Sequence, residues 1–191
     1  MYCEQYLRAH PRLRDDEIVV LASGLWDRRA DTAQTVSILA AHDLDRIQGP
    51  DLTRAMQRLP GVTVARNGAP GGLTSMAVRG GGSERVLVLL DGVRLNDVAA
   101  PAGGLDFSTV SASGIERVEL LRGSNSVVWG SQAVGGVLAL TTREVNGTEA
   151  MAEYGAHETI YATATAGLSR EGHALSLTGG YAESDGISAR T

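Results

Sequence analysis

An alternation of apolar and polar residues with a period of two, which runs from residue 150 to residue 181, constrains the fold most. From Ala150 to Leu168 the even positions are apolar, with Glu158 as the exception, and the odd positions are mostly polar. After a turn at Arg170-Glu171-Gly172 the alternation resumes with Leu175, Leu177 and Tyr181. This period places the apolar side chains on one face of a strand. The pattern fits strands that cross a membrane and also a soluble amphipathic hairpin, and it does not separate the two.

Residues 35–143 predict an α+β domain with a small mixed sheet and short helices. A helix is expected over residues 50–58, because Pro50 suits a first turn, apolar residues follow at helical spacing, and Pro60-Gly61 ends it. Asp43 is expected to cap a shorter helix that carries Leu44 and Ile47. Strands are predicted at Thr35–Leu39, Val62–Val64, Ser75–Val78, Ile115–Leu121 and Val137–Thr141.

The segment Arg85–Leu95 contains two apolar runs that are joined by Asp91-Gly92. An Asp-Gly pair between apolar runs is a strong hairpin signal, because a type I′ turn needs positive φ at both central residues. We therefore expect a tight β-hairpin at this point.

Composition and charge argue against several classes of function. The net charge is −5 and the 17 Lys and Arg residues are scattered, which argues against nucleic-acid binding. The single cysteine, Cys3, allows neither an internal disulfide nor a CxxC metal site. No apolar run approaches the roughly 18 residues of a membrane helix. Residues 1–17 carry no secretory signal pattern.

The residues also fail to form a recognisable catalytic pattern. The Gly-rich segment Arg79–Glu84 lacks the Lys of a phosphate-binding loop and the spacing of a dinucleotide-binding loop. The four histidines share no metal-ligand spacing, and no serine lies in a nucleophile elbow. Turn roles explain Asp91, Asp97 and Asp106 better than a carboxylate site does. The sequence therefore predicts no enzyme, no catalytic residue, no metal and no cofactor.

Five motifs, taken in order, resemble the plug domain of TonB-dependent outer-membrane receptors. They are Leu59–Val62, Val78–Gly80, Val88–Asn96, Ile115–Gly123 and Trp129–Val137. Each motif is weak alone, whereas the ordered set, spread over about residues 16–143, is specific. The resemblance implies an N-terminal tail over residues 1–34, a plug over residues 35–143, and the first strands of a transmembrane β-barrel, about two of them, over residues 150–191.

The resemblance also implies a binding segment for the energy-coupling protein TonB. The family's TonB box corresponds to Glu17, Ile18, Val19, Val20, Leu21 and Ala22. A short β-branched segment in a flexible tail can add as a strand to the edge of a partner's sheet. An ordinary edge strand of the plug is the alternative interpretation of these residues.

Two Gly-rich loops match the plug loops that contact substrate in this family. The first loop contains Asn67, Gly68, Ala69, Pro70, Gly71, Gly72 and Leu73, and the second contains Asn96, Asp97, Gly103, Gly104 and Asp106. Glycine and short polar residues let backbone groups approach a bulky ligand closely. The alternative is that both loops are merely flexible connections.

Three charged residues are implied to join the plug to the barrel. Arg79 and Arg122 match plug arginines that meet carboxylates on the inner barrel wall, and an Arg fork suits such bidentate pairs. Glu119 is expected at the same contact, or paired with either arginine within the plug. Solvent-facing strand charges are the alternative.

The implied function is active uptake of a scarce nutrient across a Gram-negative outer membrane, with the plug inside the barrel and facing the periplasm. Val62–Gly72, Trp129–Ala133 and Ser184–Ser188 look most like the cobalamin branch, and an iron siderophore is the other candidate. The alternative function is a soluble periplasmic ligand-binding or signalling module with a plug-like fold. Since two strands cannot close a barrel of about 22, we expect a truncated chain in which residues 145–191 aggregate while residues 35–143 retain some structure.

Overall fold

The part of the chain that the structure describes contains twelve β-strands, three short α-helices and three 3-10 helices. It is a computed structural model, and it describes residues 18–19, 27–28, 35–47, 52–68, 72–96, 103–155, 158–170 and 173–184. The strands are β1 (Ile18–Val19), β2 (Asp27–Arg28), β3 (Thr35–Leu39), β4 (Val62–Arg66), β5 (Thr74–Val78), β6 (Val86–Leu90), β7 (Val93–Arg94), β8 (Ile115–Arg122), β9 (Gly136–Thr142), β10 (Gly147–Gly155), β11 (Thr159–Arg170) and β12 (His173–Glu183). The helices are α1 (Ala41–Leu44), α2 (Thr53–Gln57) and α3 (Ser126–Trp129).

A mixed sheet of five strands forms the centre of the first part of the chain. Its strand order is β3-β8-β9-β6-β7, with β6 and β9 parallel and the other neighbours antiparallel. The run Val86–Leu89 is buried on both faces of the sheet, as expected of a continuous apolar run in a central strand. The expected fold class is confirmed, since a small mixed sheet with short helices is followed by antiparallel strands.

The hairpin between β6 and β7 has the geometry that Asp91-Gly92 predicts. Leu90 pairs with Val93, which leaves two residues in the loop, and φ is 48° at Asp91 and 84° at Gly92. The Asp91 carboxylate accepts hydrogen bonds from the backbone N–H and the hydroxyl of Thr142, at 2.9 and 2.7 Å. These bonds hold the turn against the end of β9, where the chain leaves the sheet.

A helix lies near each predicted position, with corrections to its bounds. α1 ends at Leu44, so Ile47, which the prediction placed on this helix, lies beyond its end. α2 spans Thr53–Gln57, and Pro50, the expected first-turn residue, lies outside the described residues. The prediction that Asp43 caps α1 is wrong, because the chain enters that helix earlier and the N-cap is Ala40. Asp43 instead lies inside the first turn, where its carboxylate accepts a hydrogen bond from the Ala40 N–H at 3.3 Å.

Each face of the mixed sheet has its own apolar cluster. On one face Val88, Leu120 and Leu140 pack with α2 and with the β4–β5 hairpin. On the opposite face Leu87 and Val137 belong to the cluster that also contains residues of β3 and β8. Successive side chains of a strand point to opposite faces, so the apolar runs of β6, β8 and β9 supply both clusters. Full burial of one such side chain contributes about 1.5–3 kcal/mol.

Three antiparallel strands, β10, β11 and β12, follow the mixed sheet, whereas the sequence indicated about two. The sequence did not reveal the turn between β10 and β11, because even-numbered residues of β10 pair with even-numbered residues of β11, as Ala152 does with Ala162. The apolar positions therefore stay even on both strands. Glu158, the exception in the alternation, marks this turn with a φ of 53°.

The two faces of these three strands differ in polarity and in burial. We call the side that carries Tyr161, Thr163, Thr165 and Gly167 the inner face, and the first three of these are 5, 9 and 9% exposed. The opposite side is the outer face, where Ile160, Leu168, Leu175, Leu177 and Tyr181 are 42–77% exposed. On β11 the polar face is packed and the apolar face is open, which is the reverse of a soluble amphipathic hairpin. The described side chains of β10 and β12 are largely exposed on both faces. Among the described residues, no helix is long and apolar enough to span a membrane.

Candidate functional site

The first predicted ligand loop connects the two strands of the β4–β5 hairpin. The Asn67 N–H donates to the Leu73 carbonyl at 2.9 Å, which closes the base of the loop. Gly68 has a φ of 89°, a conformation that glycine adopts at low cost. Leu73 is 59% exposed, so it is an apolar group available to a ligand. Ala69, Pro70 and Gly71 lie outside the described residues.

Thr74, the residue that follows this loop, links it to the second predicted loop. The Thr74 N–H donates to Oδ1 of Asp106 at 2.9 Å, and the same oxygen accepts a hydrogen bond from the Ser108 N–H at 3.0 Å. The hydrogen bond from Thr74 is the main reason that the pKa of Asp106 lies below its ordinary value. The structure thus brings the two predicted loops together at their bases.

Asn96, at the start of the second loop, is engaged with the backbone of its own domain. Its Oδ1 accepts a hydrogen bond from the Val88 N–H at 2.8 Å, and its Nδ2 donates to the carbonyls of Val86 and Gly103 at 3.0 and 3.2 Å. The side chain therefore continues the pairing along β6 and closes the second loop. Because both polar atoms of the Asn96 side chain are engaged, a ligand contact through its Nδ2 would require one of these hydrogen bonds to break.

The remaining predicted residues of the second loop lie at its return to the domain. Gly103 has a φ of 75°. A Cβ atom at Gly104 would lie 2.7 Å from the Ser83 hydroxyl oxygen, so the loop comes close to the turn before β6. Asp97 lies outside the described residues. The sequence singles out neither Thr74 nor Ser83, because their partners are distant in the chain and leave no local pattern.

Arg79 and Arg122 lie together, at the end of the β4–β5 hairpin opposite to the first loop. The guanidinium of Arg122 donates to the Pro60 carbonyl at 2.9 Å and to the Ser37 hydroxyl at 2.8 Å. Burial, and then the charge of Arg79, lower the pKa of Arg122. The Arg79 N–H donates to the Gly61 carbonyl at 2.8 Å. Two neighbouring cations of this kind favour an anionic partner.

Glu119 occupies a different environment from the two arginines. It is 1% exposed, and its Oε1 lies 2.7 Å from Nε of Arg117, two residues earlier on the same face of β8. The prediction that Glu119 contacts a barrel wall is therefore not supported, because its side chain is buried in an ion pair within the sheet domain.

Only two residues of the predicted TonB-binding segment lie in the described part of the chain. Ile18 pairs with Arg28 and Val19 with Asp27, in a two-stranded ladder separate from the mixed sheet. Glu17, Val20, Leu21 and Ala22 lie outside the described residues.

Residues that the sequence did not single out join the mixed-sheet domain to the three following strands. Nη2 of Arg143 lies 2.6 Å from Oδ1 of Asp45, and its Nη1 lies 3.7 Å from Oε2 of Glu149 on β10. The hydroxyls of Ser111 and Tyr161 are 3.4 Å apart. A cavity of about 140 Å³ lies between the two parts and is lined by several of these residues. Within the described ranges, no group of His, Cys, Asp or Glu could hold a metal ion.

The sequence and the fold of the chain are both similar to those of known proteins. The sequence model of the TonB-dependent Receptor Plug Domain matches residues 28–137. The alcaligin outer-membrane receptor of Bordetella pertussis superimposes with a TM-score of 0.72 at 18% identity, over 88% of this chain and 30% of that one, which shows the fold alone.

Two further solved structures are 25% identical to the chain over their aligned parts. They are a mutant of the ferric enterobactin receptor of Pseudomonas aeruginosa, with a TM-score of 0.57 over 81% of this chain and 25% of that one, and the siderophore receptor PirA of Acinetobacter baumannii, with a TM-score of 0.57 over 86% and 26%. The chain therefore spans less than a third of the length of the structures it matches.

Proposed function

Because the chain belongs to the family of TonB-dependent receptor plug domains, we propose that it forms the plug and the first barrel strands of an outer-membrane receptor that takes up a ferric siderophore. The two similar structures at 25% identity are named as a ferric enterobactin receptor and as a siderophore receptor. The family is one of receptors, so we propose transport without bond chemistry.

The observation that carries this proposal is the polarity of the two faces of β10–β12. Strands of a membrane barrel turn apolar side chains to lipid and polar side chains to the interior. Here the polar residues Thr163 and Thr165 are buried towards the sheet domain, while Leu175 and Leu177 are about three-quarters exposed. A soluble periplasmic module would pack these leucines against its own core, so this alternative is not favoured.

In the proposed mechanism the mixed-sheet domain closes a barrel whose lumen is otherwise open. The two linked loops at residues 67–73 and 96–106 contact the ligand, and Arg79 and Arg122 meet carboxylates of the barrel wall. TonB binds the segment Glu17–Ala22 as an added strand and moves the plug. We propose each of these roles for the named residues on the basis of the family to which the chain belongs.

The class of ligand is the first point to test. The resemblance of Val62–Gly72, Trp129–Ala133 and Ser184–Ser188 to the cobalamin branch stays a prediction, whereas the similar structures support a siderophore. The test titrates the purified chain in detergent micelles with ferric enterobactin, ferripyoverdine and cyanocobalamin, and follows the quenching of tryptophan fluorescence. We expect saturable quenching by a ferric siderophore. Saturation by cyanocobalamin alone would assign the cobalamin class, and no saturation by any probe would count against ligand binding by these loops.

Binding of TonB is tested with a synthetic peptide of residues 15–24 and the purified periplasmic domain of TonB, by calorimetry. We expect binding that is lost in a peptide with Ile18→Pro, because proline removes a backbone N–H that strand addition needs. A matched control places proline at Ser23, just outside the segment, and should bind like the unchanged peptide. Equal affinity of all three peptides would contradict recognition by strand addition.

A further inference from the structure

We propose that Asp106 is a positioning residue that couples the two ligand loops, so that their bases move as one unit. The consequence for ligand affinity rests on the function proposed above. The coupling itself rests on geometry alone, and it assigns Asp106 a role other than direct contact with the ligand.

The base of the first loop is fixed at Thr74. This residue is fully buried. Its hydroxyl donates to the Gly72 carbonyl at 2.8 Å and accepts a hydrogen bond from Nε of Arg66 at 3.2 Å. Nη2 of the same arginine donates to the Thr53 hydroxyl at the start of α2, at 2.9 Å. The end of the first loop is thus held to the helix that packs on the mixed sheet.

The base of the second loop is fixed on both sides of Asp106. Phe107, the next residue, is 1% exposed and belongs to the main apolar cluster. The Thr109 hydroxyl donates to the Asp106 carbonyl at 2.8 Å. At the other end of the loop Asn96 donates to the Gly103 carbonyl at 3.2 Å. The described residues on either side of this loop are therefore held to the domain, at the contact of Asn96 with Gly103 and at Asp106 and Phe107.

The bond from Thr74 to Asp106 is the connection between these two fixed bases. The two residues are 32 positions apart in the chain, and Thr74 is the first residue after one loop while Asp106 ends the other. A ligand that displaces the first loop must therefore move Thr74, and Thr74 can move only with Asp106 or by losing this hydrogen bond. Fixed loop bases also lower the ordering cost of ligand binding.

The experiment compares the full chain with Asp106→Ala, Asp106→Asn and the control Asp91→Ala in the same detergent micelles. The control removes a carboxylate that also accepts backbone and hydroxyl hydrogen bonds, but at Thr142. Two quantities are measured, namely the hydrogen-exchange rate of the Thr74 amide by NMR and the affinity for ferric enterobactin by fluorescence quenching.

We expect Asp106→Ala to raise the exchange rate of the Thr74 amide at least about tenfold, since its hydrogen bond sets its protection, and to weaken siderophore binding by a similar factor. Asp106→Asn keeps an oxygen that accepts the hydrogen bond from Thr74. Its Thr74 exchange rate and its siderophore affinity should therefore be close to those of the natural chain. Asp91→Ala should leave both unchanged relative to the natural chain, even where it lowers overall stability.

Unchanged Thr74 exchange in Asp106→Ala would overturn the coupling. Faster exchange with unaltered affinity would overturn the positioning role, because the coupled bases would then not affect the ligand. If the unchanged chain binds no siderophore, the proposed function fails, and the exchange measurement alone decides whether Asp106 couples the loops.

Discussion

Replacing Gly167 by alanine tests how the mixed-sheet domain is joined to the strands that follow it. Gly167 lies on the inner face of β11, where the connection between β9 and β10 crosses it at Val145. A Cβ atom at residue 167 would overlap the Val145 carbonyl oxygen and would lie 2.9 Å from its carbonyl carbon and 3.2 Å from its Cβ. These atoms are close to or part of the backbone, so they cannot rotate away as the end of a flexible side chain can.

The expected cost of Gly167→Ala follows from this overlap. Forcing a methyl group into a packed region costs about 1–3 kcal/mol. Gly179→Ala is the matched control, because Gly179 lies in the neighbouring strand on the outer face and nothing lies within 4 Å of the place that its new methyl group would take. In that strand alanine should be neutral or stabilising by about 0.4–1 kcal/mol. Gly167→Ala should therefore be less stable than Gly179→Ala by about 1–4 kcal/mol.

Urea unfolding of the chain in detergent micelles, followed by circular dichroism, measures this difference. With a slope of about 1–3 kcal/mol per molar urea, the midpoint of Gly167→Ala should fall by roughly 1 M below that of Gly179→Ala. The reasoning is refuted if Gly167→Ala unfolds at the same urea concentration as Gly179→Ala or at a higher one, because the connection would then not cross the inner face.

Three further predictions concern the sheet domain and its loops. Asp91→Ala should lower the free energy of unfolding by about 1.5–3 kcal/mol, because the charged hydrogen bonds to Thr142 are lost. Asp91→Asn should lower it by less, because asparagine also tolerates positive φ. Equal losses of stability for the two variants in thermal unfolding would contradict this. Leu120→Ala, at a fully buried position, should cost about 2–5 kcal/mol, whereas Leu73→Ala should stay within about 0.5 kcal/mol, as checked by urea midpoints. The pKa of Asp106 is lower in the folded chain than in the unfolded chain. The Asp106 carboxylate therefore stabilises the fold above its unfolded pKa of about 3.9, and this stabilisation is lost as the pH falls through the folded pKa. Protection of the Thr74 amide should fall as the pH is lowered through these two values, and Asp106→Asn should abolish this pH dependence of the protection.

Local sequence patterns predicted the elements whose geometry depends on neighbouring residues. Asp91-Gly92 predicted the hairpin because the turn needs two residues that tolerate positive φ, and both have it. The period of two predicted strands from residue 150 onwards, and the ordered motifs indicated the family. The cap at Asp43 was wrong because the chain can enter a helix at any of several nearby residues, and a capping residue type does not fix which.

Contacts between distant parts of the chain could not be predicted from such patterns. The link from Thr74 to Asp106 and the ion pair of Arg143 with Asp45 join residues whose spacing carries no signal. The burial of Glu119 is a similar case, because β8 is covered on both edges only through its place between β3 and β9 in the strand order. The sequence indicated two strands instead of three, because the apolar residues of both β10 and β11 lie at even positions and the two strands therefore form one continuous alternation in the sequence.

The most direct test of the account asks which face of β12 meets lipid. Nitroxide labels are attached to Leu177→Cys or Thr178→Cys, in a chain that carries Cys3→Ser, and the chain is reconstituted in phospholipid vesicles. Collision rates are then measured with oxygen, which concentrates in lipid, and with a water-soluble nickel chelate. We expect the label at residue 177 to collide mainly with oxygen and the label at residue 178 mainly with the nickel chelate. The opposite order, or equal access of the nickel chelate to both labels, would contradict the claim that the apolar face of these strands is the lipid-facing side of a receptor barrel.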